Sequence, residues 1–168
     1  GTEFLLETFS QSELKNFGGL YIFGKGITEE YENYLKEKYH SEKILFQGYK
    51  KPEDTFKLFN VLIVPSLCLD SLPRVIYEAY SYGIPVIGSD RGGIPEIIDN
   101  AKTGFIYEAS SKDDLLKKVK IFLDNPSLVS EMADNCFKKA LEFLPDKVMK
   151  KYLNIYMQLI NKALNPVI

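Results

Sequence analysis

A chain of 168 residues with 45% hydrophobic side chains can bury one substantial core and is too short for two ordinary domains. Its 21 basic and 23 acidic residues give a net charge of −2, which excludes a broad electrostatic footprint for nucleic acid. The net charge is −5 in residues 1–110 and +3 in residues 111–168, so contact of the basic tail with a partner or an anionic membrane stays open beside simple solvation.

The first half of the chain alternates between two kinds of segment. It opens on apolar spacing typical of a helix, carried by Phe4, Leu5, Thr8 and Phe9. Five apolar runs rich in β-branched and aromatic residues then predict buried strands, at residues 20–24, 43–48, 61–66, 85–90 and 104–108. Segments with helical spacing lie between them at residues 29–39, 53–59 and 73–82. This order predicts a doubly wound, Rossmann-like parallel α/β sheet with helices on both faces.

The pattern changes to helices alone after residue 108, with predicted bounds of 112–124, 126–143 and 146–162. "SSKDD" supplies an N-cap serine and acidic residues for the first turn, and "DNP" separates one helix from the next. A doubly wound domain ordinarily begins with a strand. The helical spacing at the start therefore indicates that the first strand is missing from this sequence. The alternative is that the opening segment is extended and not helical.

Metal and redox chemistry find little support in the sequence. Cys68 and Cys136 match no metal or redox spacing, and His40 stands alone in a polar stretch. No apolar run approaches the roughly 20 residues needed to span a bilayer, and the N-terminus lacks a signal pattern. We expect a cytoplasmic protein with no metal site and no cofactor.

In an open parallel sheet, ligands bind at the carboxyl ends of the strands. Four loops are expected there, at residues 24–26, 48–50, 66–73 and 89–95. Glycines in three of these loops permit positive φ or a close approach of the backbone, although each glycine taken alone is equally typical of a simple turn.

The helix predicted near Pro73 suits an anion. Proline is favoured at the first helical position, which would leave Ser71 or Leu72 at the cap and the amides of residues 74–76 free. Arg74 opposes the positive end of the helix, at a cost of about 0.3–1 kcal/mol, unless a phosphate offsets it. The alternative is a surface ion pair between Arg74 and Glu78, and the sequence leaves both interpretations open.

Asp70 and Glu78 lie eight residues apart, on either side of this helix start. Both carboxylates can face one cleft and accept hydrogen bonds from hydroxyl groups. A nucleotide sugar offers hydroxyls on either side of a diphosphate.

The stretch "DSLPRVIYE" followed by "EAYSYGIPVIGSDRGGIPEII" resembles the donor-binding signature of retaining glycosyltransferases of family four, also called group 1, which have the GT-B architecture. The likeness extends over nearly the whole chain, through "LYIFGKG", "ILFQGY", "GFIYEASSKDDL" and "VMKKYLNIYMQLI". Asp70 stands where the family usually has its first glutamate, and Glu78 matches the second.

The resemblance implies that residues 1–168 form a single nucleotide-sugar-binding domain, the C-terminal half of a longer enzyme whose N-terminal domain binds a sugar or lipid-linked acceptor. It assigns catalytic roles to Asp70, toward the transferred sugar, and Glu78, toward the ribose of a UDP or GDP type donor. The remaining donor-binding residues would be Ser71, Leu72, Pro73, Arg74, Val75, Gly92, Gly93, Tyr49, Gly24 and Lys25. The family's diphosphate-neutralising arginine and lysine have no counterpart here, so we expect this chain alone to be inactive.

Other classes of protein remain as alternatives. A flavodoxin-like signalling module would need an acidic cluster at the strand ends, and "FQGY" offers none. A nucleotide-sugar epimerase would need further acids and a histidine. A non-catalytic nucleotide-binding or interaction module stays open because Asp70 is one methylene shorter than glutamate, which shifts the carboxylate by ~1.5 Å.

Overall fold

The computed structural model of the protein describes residues 1–12, 14 and 17–164. The helices are α1 (Thr2–Ser10), α2 (Glu29–Lys38), α3 (Pro52–Thr55), α4 (Arg74–Tyr80), α5 (Ile94–Ile97), α6 (Lys112–Asp124), α7 (Leu128–Ala140) and α8 (Pro145–Leu164), with a 3₁₀ turn at Leu141–Phe143. The strands are β1 (Leu20–Phe23), β2 (Ile44–Gly48), β3 (Leu62–Val64), β4 (Val86–Ser89) and β5 (Gly104–Tyr107).

All five predicted strands form, and every strand pair is parallel. They are divided between two sheets rather than joined in one: β1 pairs with β2, and β4 lies between β3 and β5. The fold is thus the expected mixed α/β arrangement with parallel sheets and C-terminal helices. An apolar cavity lies where β1 and β3 would have to meet in a continuous sheet.

Helices cover both faces of the three-stranded sheet. Gly88 on β4 faces α5, because a Cβ placed on it would meet the side chains of Ile94 and Ile98. On the opposite face, Phe105 of β5, the register partner of Ile87, packs its ring against Phe122 of α6 at 5.4 Å between centroids. All four residues of β4 are buried, as expected of a central strand with both faces covered.

The opening helix is confirmed, since α1 occupies Thr2–Ser10 and buries Leu5, Leu6 and Phe9. The predicted serine cap is also present: the Ser111 hydroxyl accepts a hydrogen bond from the Asp114 amide at 3.3 Å. Its helix α6 has the predicted bounds.

Several helix bounds differ from the predictions. The segment predicted at residues 53–59 is helical only over Pro52–Thr55, because the chain then turns, with the Leu58 amide donating to the Thr55 carbonyl. Helix α5 was not predicted, since it is a single turn with a proline near its start. The segment 126–143 contains α7 and the 3₁₀ turn.

Helix α8 is the longest helix and is apolar along one broad side, with Lys147, Lys150 and Lys151 among the polar residues of the other side. Its large apolar side chains are about half exposed, as Tyr152 and Ile155 illustrate. Across the described residues, no helix combines the length and the hydropathy that a bilayer crossing requires.

Candidate functional site

The loops that follow β3 and β4 are in direct backbone contact. The Gly93 amide donates to the Asp70 carbonyl at 2.8 Å. A Cβ placed on Gly92 would overlap the carbonyl oxygen of Asp70, and one placed on Gly93 would overlap that of Ser71. Gly92 also has φ +55°, in the left-handed region. These contacts explain both glycines without a ligand, and they fix the carboxyl end of β3 against that of β4.

Asp70 is held in a local turn. Its Oδ1 accepts a hydrogen bond from the Leu72 amide at 3.1 Å, and its own amide donates to the Cys68 carbonyl at 3.0 Å. Aspartate commonly makes this turn because its short side chain reaches the backbone two residues on. The carboxylate is partly exposed and is therefore both positioned by the chain and accessible to solvent.

The start of α4 differs from the prediction by one residue. Pro73 has ψ 109° and is the cap, so Arg74 rather than Pro73 is the first helical residue. The Ile76 amide was expected to be free, but it donates to the Pro73 carbonyl at 3.1 Å. Since Pro73 has no amide hydrogen and the Leu72 amide serves Asp70, the amides of Arg74 and Val75 are those that α4 itself leaves for an anion.

Arg74 and Glu78 form the ion pair that the sequence left as one of two alternatives. Arg74 Nη2 lies 3.2 Å from Glu78 Oε1. The Arg74 side chain is 78% exposed, so the pair contributes little to stability and the guanidinium is free to turn toward another anion. Glu78 is 30% exposed and also borders an open cavity of about 580 Å³ between α4, α7 and the 3₁₀ turn. That Glu78 faces one cleft with Asp70 stays a prediction.

The loops after β1 and β2 also contact one another. The Gly24 amide donates to the Gly48 carbonyl at 2.9 Å, and both glycines have positive φ. Lys25 is exposed, and the Tyr49 side chain is 72% exposed. Gly24, Lys25 and Tyr49 thus lie at the carboxyl ends of the two-stranded sheet, whereas Asp70, Ser71, Gly92 and Gly93 are brought together at the carboxyl ends of β3 and β4.

Sequence analysis overlooked two residues that anchor the second group. The buried Ser89 hydroxyl donates to the Ser66 carbonyl at 2.7 Å. Asp90 Oδ1 accepts a hydrogen bond from the Ala109 amide at 3.0 Å. In "GSD", Ser89 ends β4 and Asp90 follows it, and polar residues at the end of a buried strand are the signal that points to them. They fix the rim loops in place.

Potential metal ligands are dispersed. Within residues 1–12, 14 and 17–164, no three histidine, cysteine or acidic side chains gather closely enough to hold a metal ion. Cys68 is exposed, and Cys136 is buried, which raises the pKa of its thiol to about 12.

This geometry, an α/β domain with parallel sheets and polar groups at the carboxyl ends of its strands, is that of the doubly wound class, whose members bind ligands at these strand ends. The family model described as "Glycosyl transferases group 1" matches residues 1–142. The chain therefore belongs to the group 1 glycosyltransferase family, as the sequence resemblance predicted.

Individual curated proteins are similar to parts of the chain. Spore coat protein SA of Bacillus subtilis is 35% identical over 85 residues, which are 46% of this chain and 22% of that protein. N-acetyl-alpha-D-glucosaminyl L-malate synthase of Bacillus anthracis is 24% identical over 132 residues, 78% of this chain and 35% of the enzyme. The chain spans roughly a fifth to a third of the length of these relatives.

Solved structures show the same fold. Sucrose-phosphate synthase from Thermosynechococcus elongatus superposes with a TM-score of 0.79 at 21% identity, over 96% of this chain and 42% of that one. Anabaena Alr3699/HepE, solved in complex with UDP-glucose, gives a TM-score of 0.76 at 17% identity, over 96% of this chain and 45% of that one.

Proposed function

We propose that the chain is the donor-binding, C-terminal domain of a retaining glycosyltransferase that transfers a sugar from a nucleotide diphosphate sugar to a glycan, polysaccharide or lipid-linked acceptor. Family membership supports the reaction class, and the UDP-glucose complex of a protein with the same fold supports the donor class. The acceptor would bind to a second domain, and no cofactor other than the donor is needed. We further propose that the enzyme is cytoplasmic and contacts a membrane peripherally.

The observation that carries the proposal is the joining of the two loops around Asp70 and Gly93. The hydrogen bond between them holds the Asp70 carboxylate on a fixed backbone, and preorganised groups are what sugar transfer requires. In the proposed complex, Asp70 accepts hydrogen bonds from hydroxyls of the transferred sugar. The amides of Arg74 and Val75 bind the diphosphate, with help from the Arg74 guanidinium.

Glu78 is proposed to accept hydrogen bonds from the ribose hydroxyls. In the structure it pairs with Arg74, so donor binding would exchange one exposed ion pair for two separate contacts. Such an exchange costs little, because exposed pairs contribute about 0–1 kcal/mol. Tyr49, Gly24 and Lys25 would contact the base and the outer edge of the donor.

The test is the variant Glu78→Gln in the full-length enzyme. We expect kcat/KM for the donor to fall about 10- to 100-fold, because a ribose hydroxyl loses a charged partner worth roughly 1.5–3 kcal/mol. Glu131→Gln is the matched control, since Glu131 is an exposed helical glutamate on α7. Unchanged donor kinetics in Glu78→Gln would remove Glu78 from the site.

A second comparison separates ribose contact from support of Arg74. If Glu78 binds ribose, Glu78→Gln should weaken binding of UDP or GDP more than binding of the corresponding 2′-deoxynucleotide, whereas Arg74→Gln should weaken both equally. Equal losses in all four measurements would mean that Glu78 acts only through its ion pair with Arg74.

The isolated 168-residue chain gives a third test. We expect thermal unfolding in the presence of UDP, GDP or ADP to show weak nucleoside diphosphate binding at most, and no sugar transfer to sugar or lipid acceptors. Transfer needs an acceptor oriented in a closed cleft, an effect worth about 7–11 kcal/mol of the barrier, and one domain does not form that cleft. Robust turnover by this chain would contradict the proposed division of labour.

A further inference from the structure

The chain that leaves β3 and carries Asp70 is fastened at both ends to the chain that leaves β4. We refer to residues 66–70 as the rim segment. At its first residue, the Ser89 hydroxyl donates to the Ser66 carbonyl at 2.7 Å. At its last residue, the Gly93 amide donates to the Asp70 carbonyl at 2.8 Å. Both donors belong to residues 89–93, so one short stretch of chain holds the rim segment at two points.

The Ser89 side chain extends the contact between β3 and β4 beyond the point where their backbones pair. The register of the two strands runs as far as Val64 and Gly88. Pro65 follows Val64 and has no amide hydrogen to donate to β4. On the other side of β4, Ser89 is still in register with Tyr107 of β5. Ser89 is therefore fixed by the sheet on one side and holds the rim segment through its hydroxyl on the other.

The middle of the rim segment has little burial to hold it. Leu67 is 43% exposed and Leu69 is 79% exposed, and Cys68 between them is exposed as well. The position of the segment therefore depends mainly on the hydrogen bonds at its ends. Ser89 itself is completely buried, so water competes little for its hydroxyl and the bond to the segment is a strong one.

Helix α4, which follows the rim segment, is held in a different way. Three of its residues have no exposed surface and belong to the core: Ile76, Ala79 and Tyr80. Packing of these side chains fixes the helix, and its first turn carries the amides that we propose bind the diphosphate. A change at Ser89 should therefore displace Asp70 and leave the diphosphate contacts largely in place.

We propose that Ser89 is a positioning residue for sugar transfer, whose hydroxyl sets the place of the Asp70 carboxylate through the rim segment. The inference rests on the proposed role of Asp70 toward the transferred sugar. Because a displacement of about 1 Å can slow a positioned reaction about 100-fold, we expect Ser89→Ala to lower kcat about 10- to 100-fold. The affinity for UDP or GDP should change less than about 3-fold, since Ser89 does not act on the diphosphate contacts.

A nitroxide label on Cys68 tests the first step of this inference without a substrate. Cys68 lies in the middle of the rim segment and is exposed, whereas Cys136 is buried, so labelling is selective. We expect the label to be more mobile in Ser89→Ala than in the parent protein. Thr8→Val is the matched control, because Thr8 is also buried and its hydroxyl also donates to a carbonyl, that of Phe4, at 2.7 Å. Equal label mobility in Ser89→Ala and the parent overturns the proposal.

A double-mutant cycle in the full-length enzyme tests the second step. Turnover is followed as UDP or GDP released from UDP-glucose, UDP-N-acetylglucosamine and GDP-mannose. The partner variant is Asp70→Asn, which keeps the oxygen of the local turn and removes the charge. If Ser89 acts through Asp70, Ser89→Ala should lower kcat in the parent and have little further effect in the Asp70→Asn background.

The possible failures of this cycle are distinguishable. Additive losses in the double variant would mean that Ser89 acts elsewhere, which overturns the inference and leaves the proposed function intact. Unchanged turnover in Asp70→Asn alone would overturn the proposed role of Asp70 and this inference with it. Equal losses of kcat and of affinity for UDP or GDP in Ser89→Ala would mean that the whole rim is disturbed, which overturns a specific action on Asp70.

Discussion

The three-stranded sheet and the two-stranded sheet are built from similar apolar sequences, but their strands are buried to different extents. All four residues of β4 are buried, whereas in β1 and β2 only the first residue of each strand is buried. The loops after β3 and β4 are packed backbone against backbone, and those after β1 and β2 leave Tyr49 largely exposed. The rigid part of the proposed donor site therefore belongs to the three-stranded sheet.

Two glycines with similar backbone angles show what this difference means for a single residue. Gly92 has φ +55° and Gly48 has φ +65°. A Cβ on Gly92 would overlap the Asp70 backbone, while a Cβ on Gly48 would have no heavy atom of the described residues within 4 Å. Packing and the positive φ both require glycine at position 92, whereas at position 48 only the positive φ favours glycine.

The largest expected effect comes from exchanging these two glycines for alanine. Gly92→Ala should lower the free energy of unfolding by about 3 kcal/mol or more, because left-handed strain is added to a backbone overlap that no side chain can relieve. Gly48→Ala should cost only about 1–2 kcal/mol, which is the cost of the left-handed conformation alone. Urea unfolding of the two variants and the parent protein measures both values.

Gly18→Ala is the control for this pair, since Gly18 has no positive φ and a Cβ placed on it would meet no heavy atom within 4 Å in the part of the chain that the structure describes. It should change stability by no more than about 0.5 kcal/mol. Equal destabilisation by Gly92→Ala and Gly48→Ala would contradict the claim that the two rims differ in packing.

Sequence reasoning was most successful where one local signal decided the outcome. The β-branched and aromatic runs located all five strands, and the serine of "SSKDD" fixed the start of α6. The start of α4 was placed one residue early because Pro73, which has a suitable φ for a helix, takes an extended ψ that its sequence does not reveal. Helix α5 is one turn long, too short for a periodic pattern.

The site was predictable in its residue types and less so in its contacts. The glycine pair was correctly expected at the rim, but its reason, the approach to Asp70 and Ser71, depends on two loops that are about 20 residues apart in sequence. The division into two sheets depends likewise on whether β1 and β3 pair, which local sequence does not determine.

Two buried tyrosines, Tyr80 and Tyr107, test the interior packing around the three-stranded sheet. The Tyr80 hydroxyl lies 2.9 Å from Thr103 Oγ1, and burial raises the pKa of this phenol. The Tyr107 hydroxyl is buried with no hydrogen-bond partner among the described residues. Tyr80→Phe should therefore cost about 1 kcal/mol, whereas Tyr107→Phe should be neutral or stabilising, because it removes an unsatisfied polar group.

Urea unfolding of both phenylalanine variants provides the measurement, and each variant is the control for the other because both remove one hydroxyl from a buried ring. A loss of about 1 kcal/mol or more in Tyr107→Phe would show that its hydroxyl has a partner, such as a buried water. The three-stranded half would then be more polar inside than its contacts indicate.

The smallest expected effect belongs to the surface of the two-stranded half, where α1 and α2 are joined by polar contacts. Glu3 Oε1 lies 3.0 Å from Lys38 Nζ and also accepts hydrogen bonds from Tyr34 and Tyr39. The hydrogen bond from Lys38 is the main cause that lowers the pKa of Glu3 below its ordinary value of 4.5. A lowered carboxyl pKa means that the contact stabilises the fold fully above about pH 4.5 and is lost as the pH falls through the lower, folded-state value.

The stability difference between the parent protein and Glu3→Gln should thus be constant near neutral pH and shrink in acid. In a Lys38→Met background most of this pH dependence should disappear, since the two residues act as a pair. Urea midpoints of the four proteins, measured at about pH 7, 5 and 3.5, test this. A difference that grows in acid would mean that Glu3 is not stabilised by Lys38.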